Sequence, residues 1–182
     1  EGVCAPGMGT NAAFALATQC YQTLMADGRK AKQACDMNIV TPALENIIEA
    51  NILLSGLGFE SGGLAAAHGI VDGLTILPGT HKYMHGEEVA FGTLCHMMLE
   101  NAPTEELEEV LDFCLDVGLP VCLADIGVES ISPEELRQVA EKASIPEEST
   151  HAMPFPVNAQ TVAAAIVAAD KLGSTYKQER AK

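Results

Sequence analysis

Basic residues are scarce in this 182-residue chain: 10 Lys and Arg stand against 25 Asp and Glu, a formal net charge of −15 at pH 7. A surface this acidic repels phosphate backbones and anionic bilayers, which excludes nucleic-acid and membrane-surface partners and favours solubility. Also lacking is any apolar run long enough to span a bilayer, or an N-terminal charged stretch followed by an apolar block and a cleavage site. The chain reads as cytosolic. Its six cysteines, at positions 4, 20, 35, 95, 114 and 122, include no Cys-x-x-Cys pair and no zinc-ribbon or zinc-finger spacing. Cys20, Cys95 and Cys114 fall on apolar helical stripes, where a free thiol behaves as a small hydrophobe. Reduced, buried thiols are expected instead of a disulfide scaffold. Period-two alternation is nearly absent, and there is no internal repeat or low-complexity linker.

What is present is helical signal. With 48% apolar residues the chain can bury one core, and its length suits a single domain spanning residues 1–182. Thr10 or Asn11 caps an alanine-rich helix that reaches about Ala26, where Asp27 and Gly28 end it and a short helix follows. Thr41, with Pro42 at the first helical position, starts the next; Leu44, Ile47, Ile48 and Leu54 give it an apolar face. The stretch from Ser55 and Gly56 to Gly63 then reads as a glycine-rich turn. Further helices are expected from Leu64 to about Leu77, Gly86 to Glu100 and Thr104 to Val117, the last stopped by Gly118 and Pro120. Ser132-Pro133-Glu134-Glu135 is a capping box opening a helix to about Ala143, and Asn158 caps a final helix toward Tyr176 with a frayed charged tail. Only Val121-Cys122-Leu123 reads as a strand, too short to build a sheet. The fold class is all-α, a helical bundle of seven to nine helices.

Two histidines carry the chemistry. His68 ends the small apolar run Leu64-Ala65-Ala66-Ala67, and His85 follows a loop and opens a helix; each has glycine beside it. They read as two ligands of one divalent metal, which in an enzyme site usually takes three protein ligands and keeps a position open. A lone histidine is more often a hydrogen-bonded core residue. A pair separated by a loop is a weaker signal than His-Glu-x-x-His, so spacing alone leaves both readings open. His81, His96 and His151 read as structural or solvated. Asp72, one helical turn beyond His68, could face the same ion, although a capping or solvated role suits it better. The glycines of Gly56-Leu57-Gly58-Phe59-Glu60-Ser61-Gly62 follow a helix, whereas a dinucleotide fingerprint must follow a strand.

Four stretches, Val40–Asn51, Gly56–His68, His85–Leu94 and Leu99–Pro103, closely resemble the C-terminal half of bacterial glycerol dehydrogenases. These are members of the metal-dependent, iron-containing type alcohol dehydrogenase superfamily, whose C-terminal domain is the helical part of the dehydroquinate synthase-like fold. The resemblance covers nearly the whole chain. It implies an α-helical metal- and substrate-binding domain without the family's N-terminal nucleotide-binding domain. His68 and His85 match two ligands of Zn2+ or another divalent metal, while the third, an aspartate, belongs to a segment before Glu1. Phe59 matches the tip of a loop bordering the active-site cleft and offers an apolar wall to glycerol or a similar small polyol; a plain turn with Phe59 in the core is the competing reading. The implied reaction is oxidation of glycerol to dihydroxyacetone with NAD. No catalytic side chain beyond the metal ligands is expected in the chain, and no cofactor-binding residue. NAD would bind only with the N-terminal domain, so the chain alone is expected to be inactive. A homo-oligomer or a complementary N-terminal half is the expected protein partner. The competing hypothesis is a non-catalytic helical assembly module in which the two histidines are relics.

Overall fold

The computed structural model describes residues 9–182. Among them stand eight α-helices and no strand, an all-α architecture divided into two compact units, residues 9–63 and Leu64–Lys182.

The first unit is a helical hairpin. In α1 (Asn11–Asp36) the Thr10 hydroxyl accepts the Ala13 amide at 3.1 Å. The helix does not stop at Asp27 and Gly28. Gly28 is buried together with Ala31 and Ala34, small residues at three-residue spacing along a helix that packs against its neighbour. A glycine inside a helix costs about 1 kcal/mol in propensity relative to alanine, which this helix carries without breaking. α2 (Pro42–Glu49) begins as expected, with Thr41 Oγ1 accepting the Leu44 amide. It too fails to stop where the sequence suggests: it runs through a π turn, Ala50–Leu54, into α3 (Ser55–Gly62). The Ala50 carbonyl accepts both the Ser55 amide and the Cys20 thiol, the latter at 3.5 Å. Gly58 and Gly62 sit over Ala17 and Ala13 of α1, so they form a packing face and not a turn. The helix ends one residue later at Gly63, whose φ of 79° is open to glycine at little cost.

The second unit holds the larger core. Its helices are α4 (Ala66–Leu74), α5 (His85–Leu99), α6 (Thr104–Val117), α7 (Pro133–Lys142) and α8 (Ala159–Arg180). α4 is shorter than the expected Leu64 to Leu77, because Ala65 is extended and Thr75 opens a run of turns toward Pro78. Gly118, at φ 84°, terminates α6. The capping box of α7 is reciprocal: Ser132 Oγ accepts the Glu135 amide at 3.2 Å and Glu135 Oε2 accepts the Ser132 amide at 2.8 Å. Asn158 Oδ1 caps α8 through the Thr161 amide. Val121, Cys122 and Leu123 do not form a strand. Carboxylates take the place of a strand partner, Asp125 accepting from the Val121 amide and Asp170 from the Leu123 amide. α8 continues past Tyr176 because side chains of its last turns are engaged: Tyr176 donates to Asp112, Lys177 pairs with Asp125, and Arg180 pairs with Asp116. Ile70, Leu74, Phe91, Leu94, Leu111, Val139, Val162 and Ile166 form the centre of the core.

Cys20, Cys95, Cys114 and Cys122 are free and buried, and Cys35 is free and exposed. Cys4 lies outside the described residues. No helix among the described residues is long and apolar enough to cross a membrane.

Candidate functional site

The second unit brings His68 and His85 side by side. Their ring centroids lie 5.4 Å apart with the planes tilted by 49°. His68 stands in the first turn of α4, and His85 is the first residue of α5, whose Met84 amide is capped by Glu87 Oε2 at 2.8 Å. The two helix starts converge because α5 presses closely on α4. A Cβ built at Gly92 would lie 2.5 Å from the Ala67 carbonyl oxygen and 3.0 Å from Val71 Cγ2, so only glycine allows this approach. On its other flank α4 is braced by the segment Ser149–Ala152. There Ser149 Oγ donates to the Ala65 carbonyl at 2.9 Å, and a Cβ at Gly69 would meet Thr150 Cγ2 at 2.7 Å.

The electrostatics suit a neutral nitrogen donor. Burial, and then the neighbouring His85, hold the His68 imidazole below its ordinary value, with Asp72 pulling in the opposite direction. At neutral pH the ring therefore keeps a lone pair. Two imidazoles bound to one tetrahedral ion, with metal–nitrogen bonds of about 2.0–2.1 Å, would place their centroids roughly 5 Å apart. The observed separation fits such an arrangement. Among the described residues no group of three or more His, Cys, Asp or Glu side chains could hold a metal ion. Asp72 is exposed and shares a hydrogen bond with Glu148, whose carboxyl is pushed up by burial and by Asp72.

The remaining histidines have other partners. His81 Nε2 lies 2.8 Å from the Thr75 carbonyl, His96 lies 3.6 Å from Glu100, and His151 Nε2 reaches the carbonyls of Ser144 and Ile145.

No family model matches the chain. It is 52% identical over 170 residues to glycerol dehydrogenase of Thermotoga maritima, an alignment covering 93% of this chain and 47% of that protein. To glycerol dehydrogenase of Escherichia coli O6:H1 it is 50% identical over 175 residues, covering 96% and 48%. Its fold matches the crystal structure of glycerol dehydrogenase from Schizosaccharomyces pombe with a TM-score of 0.92 at 38% identity, over 97% of this chain and 45% of that one.

The chain belongs to the glycerol dehydrogenase family. It spans about half the length of the relatives it matches and corresponds to the family's helical C-terminal part. In this chain Phe59 stands on α3 and not at the tip of a turn. It is not a core residue either, being 50% exposed. It lines an open groove of about 530 Å³ on the hairpin, together with Thr10, Phe14, Ala17, Gly58 and Gly63. The residues that hold the histidines in place are not singled out by the sequence alone. Gly92 carried a signal, a glycine inside a helical period, which implies a close neighbour. Ser149 carried none, because its contact with Ala65 spans 84 positions.

Proposed function

We propose that this chain is the metal- and polyol-binding part of a glycerol dehydrogenase, with His68 and His85 as two of the ligands to one divalent cation, zinc or a similar ion. The observation that carries this reading is the pair of adjacent imidazoles held at the converging starts of α4 and α5. Two nitrogen donors, one of them desolvated and neutral, suit a borderline ion such as zinc. When bound, such an ion supplies Lewis-acid chemistry, lowering the pKa of an alcohol hydroxyl. What this chain's residues contribute is binding and orientation, His68 and His85 fixing the donor directions. No side chain of the chain is assigned as general base. Glycerol oxidation to dihydroxyacetone with NAD is proposed for the protein in which these helices accompany a nucleotide-binding half. Hydride transfer requires the nicotinamide to be held in contact with the alcohol, and positioning of that kind supplies much of the barrier reduction. On this reading the 182-residue chain alone does not reduce NAD and binds zinc weakly.

The hairpin supports a contact with further protein. Phe14 and Ile52 are 76% and 74% exposed, and Ile48, Leu53, Leu57 and Phe59 are exposed as well. Large apolar side chains left exposed on one hairpin are the kind of surface that interaction faces use. A second copy or the complementary N-terminal half is the proposed occupant.

The test is a cobalt or zinc titration combined with glycerol-dependent NAD reduction, made on the protein joined to its nucleotide-binding half. His68→Ala and His85→Ala should each abolish activity and weaken metal binding. Retention of full metal affinity by both variants would refute the assignment, as would NAD reduction by the purified 182-residue chain alone.

A further inference from the structure

We propose that Ser149 is a positioning residue for the histidine pair, a role that rests on the metal reading above. The first turn of α4 is bound at its start to a single acceptor. The Ala65 carbonyl receives the amides of His68 at 3.2 Å and Gly69 at 3.4 Å, and also the Ser149 hydroxyl at 2.9 Å. Ala65 has no side chain that could cap the helix, and its backbone is extended. The direction of that carbonyl therefore depends on the hydroxyl arriving from 84 residues away. His68 is attached to the same acceptor through its own amide. A change in the pitch of this turn rotates the imidazole relative to His85, which is fixed on a different helix.

The hydroxyl itself is held firmly. Ser149 is 6% exposed and the adjoining Thr150 is fully buried, donating through Oγ1 to the Ala143 carbonyl at 2.7 Å. Thr150 also packs where a side chain at Gly69 would stand. Gly73, one turn further, is closed off by the Val139 carbonyl and Ala143. α4 is thus clamped along one flank by Ser149, Thr150 and α7, and on another by Gly92 of α5. Within that clamp, Ser149 donates a side-chain hydrogen bond to the start of the turn that carries His68. Outer groups that orient a ligand typically change metal affinity 10- to 100-fold when removed.

The experiment compares wild type, Ser149→Ala and Leu136→Ala in the protein joined to its nucleotide-binding half. Leu136 packs on the core from α7 and lines a groove with α8, so its truncation is a control for general loss of stability. Cobalt alone is the probe, with its affinity and its d–d absorption band as readouts. Crystal structures without metal then report the separation of the two rings. Ser149→Ala should weaken cobalt binding about 10-fold, alter the band and change the ring separation, while Leu136→Ala leaves band and separation unchanged. Unaltered cobalt affinity, band and ring geometry in Ser149→Ala would overturn the proposal, as would a loss matched by Leu136→Ala. If cobalt binding is insensitive to His68→Ala, the metal reading fails; a changed ring separation in Ser149→Ala still supports the positioning role in that case, and an unchanged one overturns it.

Discussion

Replacing Gly92 with alanine should damage the histidine pair far more than the fold. The new Cβ would stand 2.5 Å from the Ala67 carbonyl oxygen, while ordinary contact begins at 3.4 Å, so α5 and α4 must part by about 0.9 Å. The obstacle is backbone and not the end of a flexible side chain, so local rotation cannot absorb it. Overpacking of this kind costs about 1–3 kcal/mol. Alanine returns about 1 kcal/mol of helix propensity over glycine, which leaves a net loss of roughly 0–2 kcal/mol. In a unit of this size that amounts to a few degrees in melting temperature. His85 lies seven residues earlier on the same helix, about 10 Å along its axis, and it moves with α5 while His68 stays with the braced α4. A displacement near 1 Å at a site of fixed geometry can cost about 100-fold in rate. The assay pairs denaturant unfolding with a cobalt titration. The expected result is a small change in the unfolding midpoint with a clear loss of cobalt affinity. A stabilised Gly92→Ala variant with wild-type cobalt affinity would show that α4 yields without moving the rings, and would refute this account.

The pH dependence of His68 has a definite sign. Its folded pKa lies below the ordinary 6.5, so between the two values the unfolded chain binds more protons; its contribution to stability is present above about 6.5 and is lost as pH falls below it. Thermal melts from pH 8 to 5 should show a slope that weakens in His68→Asn; an identical slope in the variant counts against the assignment. Glu148 behaves oppositely: burial and Asp72 raise its folded pKa above 4.5, so its contribution is full below 4.5 and lost as pH rises through the folded value. Glu148→Gln should therefore melt higher than wild type at pH 7 and equally at pH 4, and a lower melting temperature at pH 7 would contradict this. Among the described cysteines, Cys35 should react first with a maleimide, because it is the exposed one. Cys114, pushed up to about 11 by burial, and Cys95, pushed higher still, should react only on unfolding. Prompt modification of Cys95 in the native protein would contradict the packing described.

The sequence by itself determined the all-α class and most helix starts, because those features are local. Thr10, Thr41, Ser132 and Asn158 each cap a helix through a side chain that reaches an amide three residues away. The stop at Gly118 is equally local, requiring a left-handed residue. Local rules misread Gly28, Gly58 and Gly62 as breaks, since a glycine that ends a helix and one that lies in a helix packing face look alike in one dimension; Gly56 also stays helical, with open space beside it. The family resemblance singled out His68 and His85. Their adjacency, however, is a tertiary fact, set by Gly92 against Ala67 and by Ser149 against Ala65. Those contacts join residues 25 and 84 positions apart, and a chain reveals such pairings only when packing forces two backbones to share the same space.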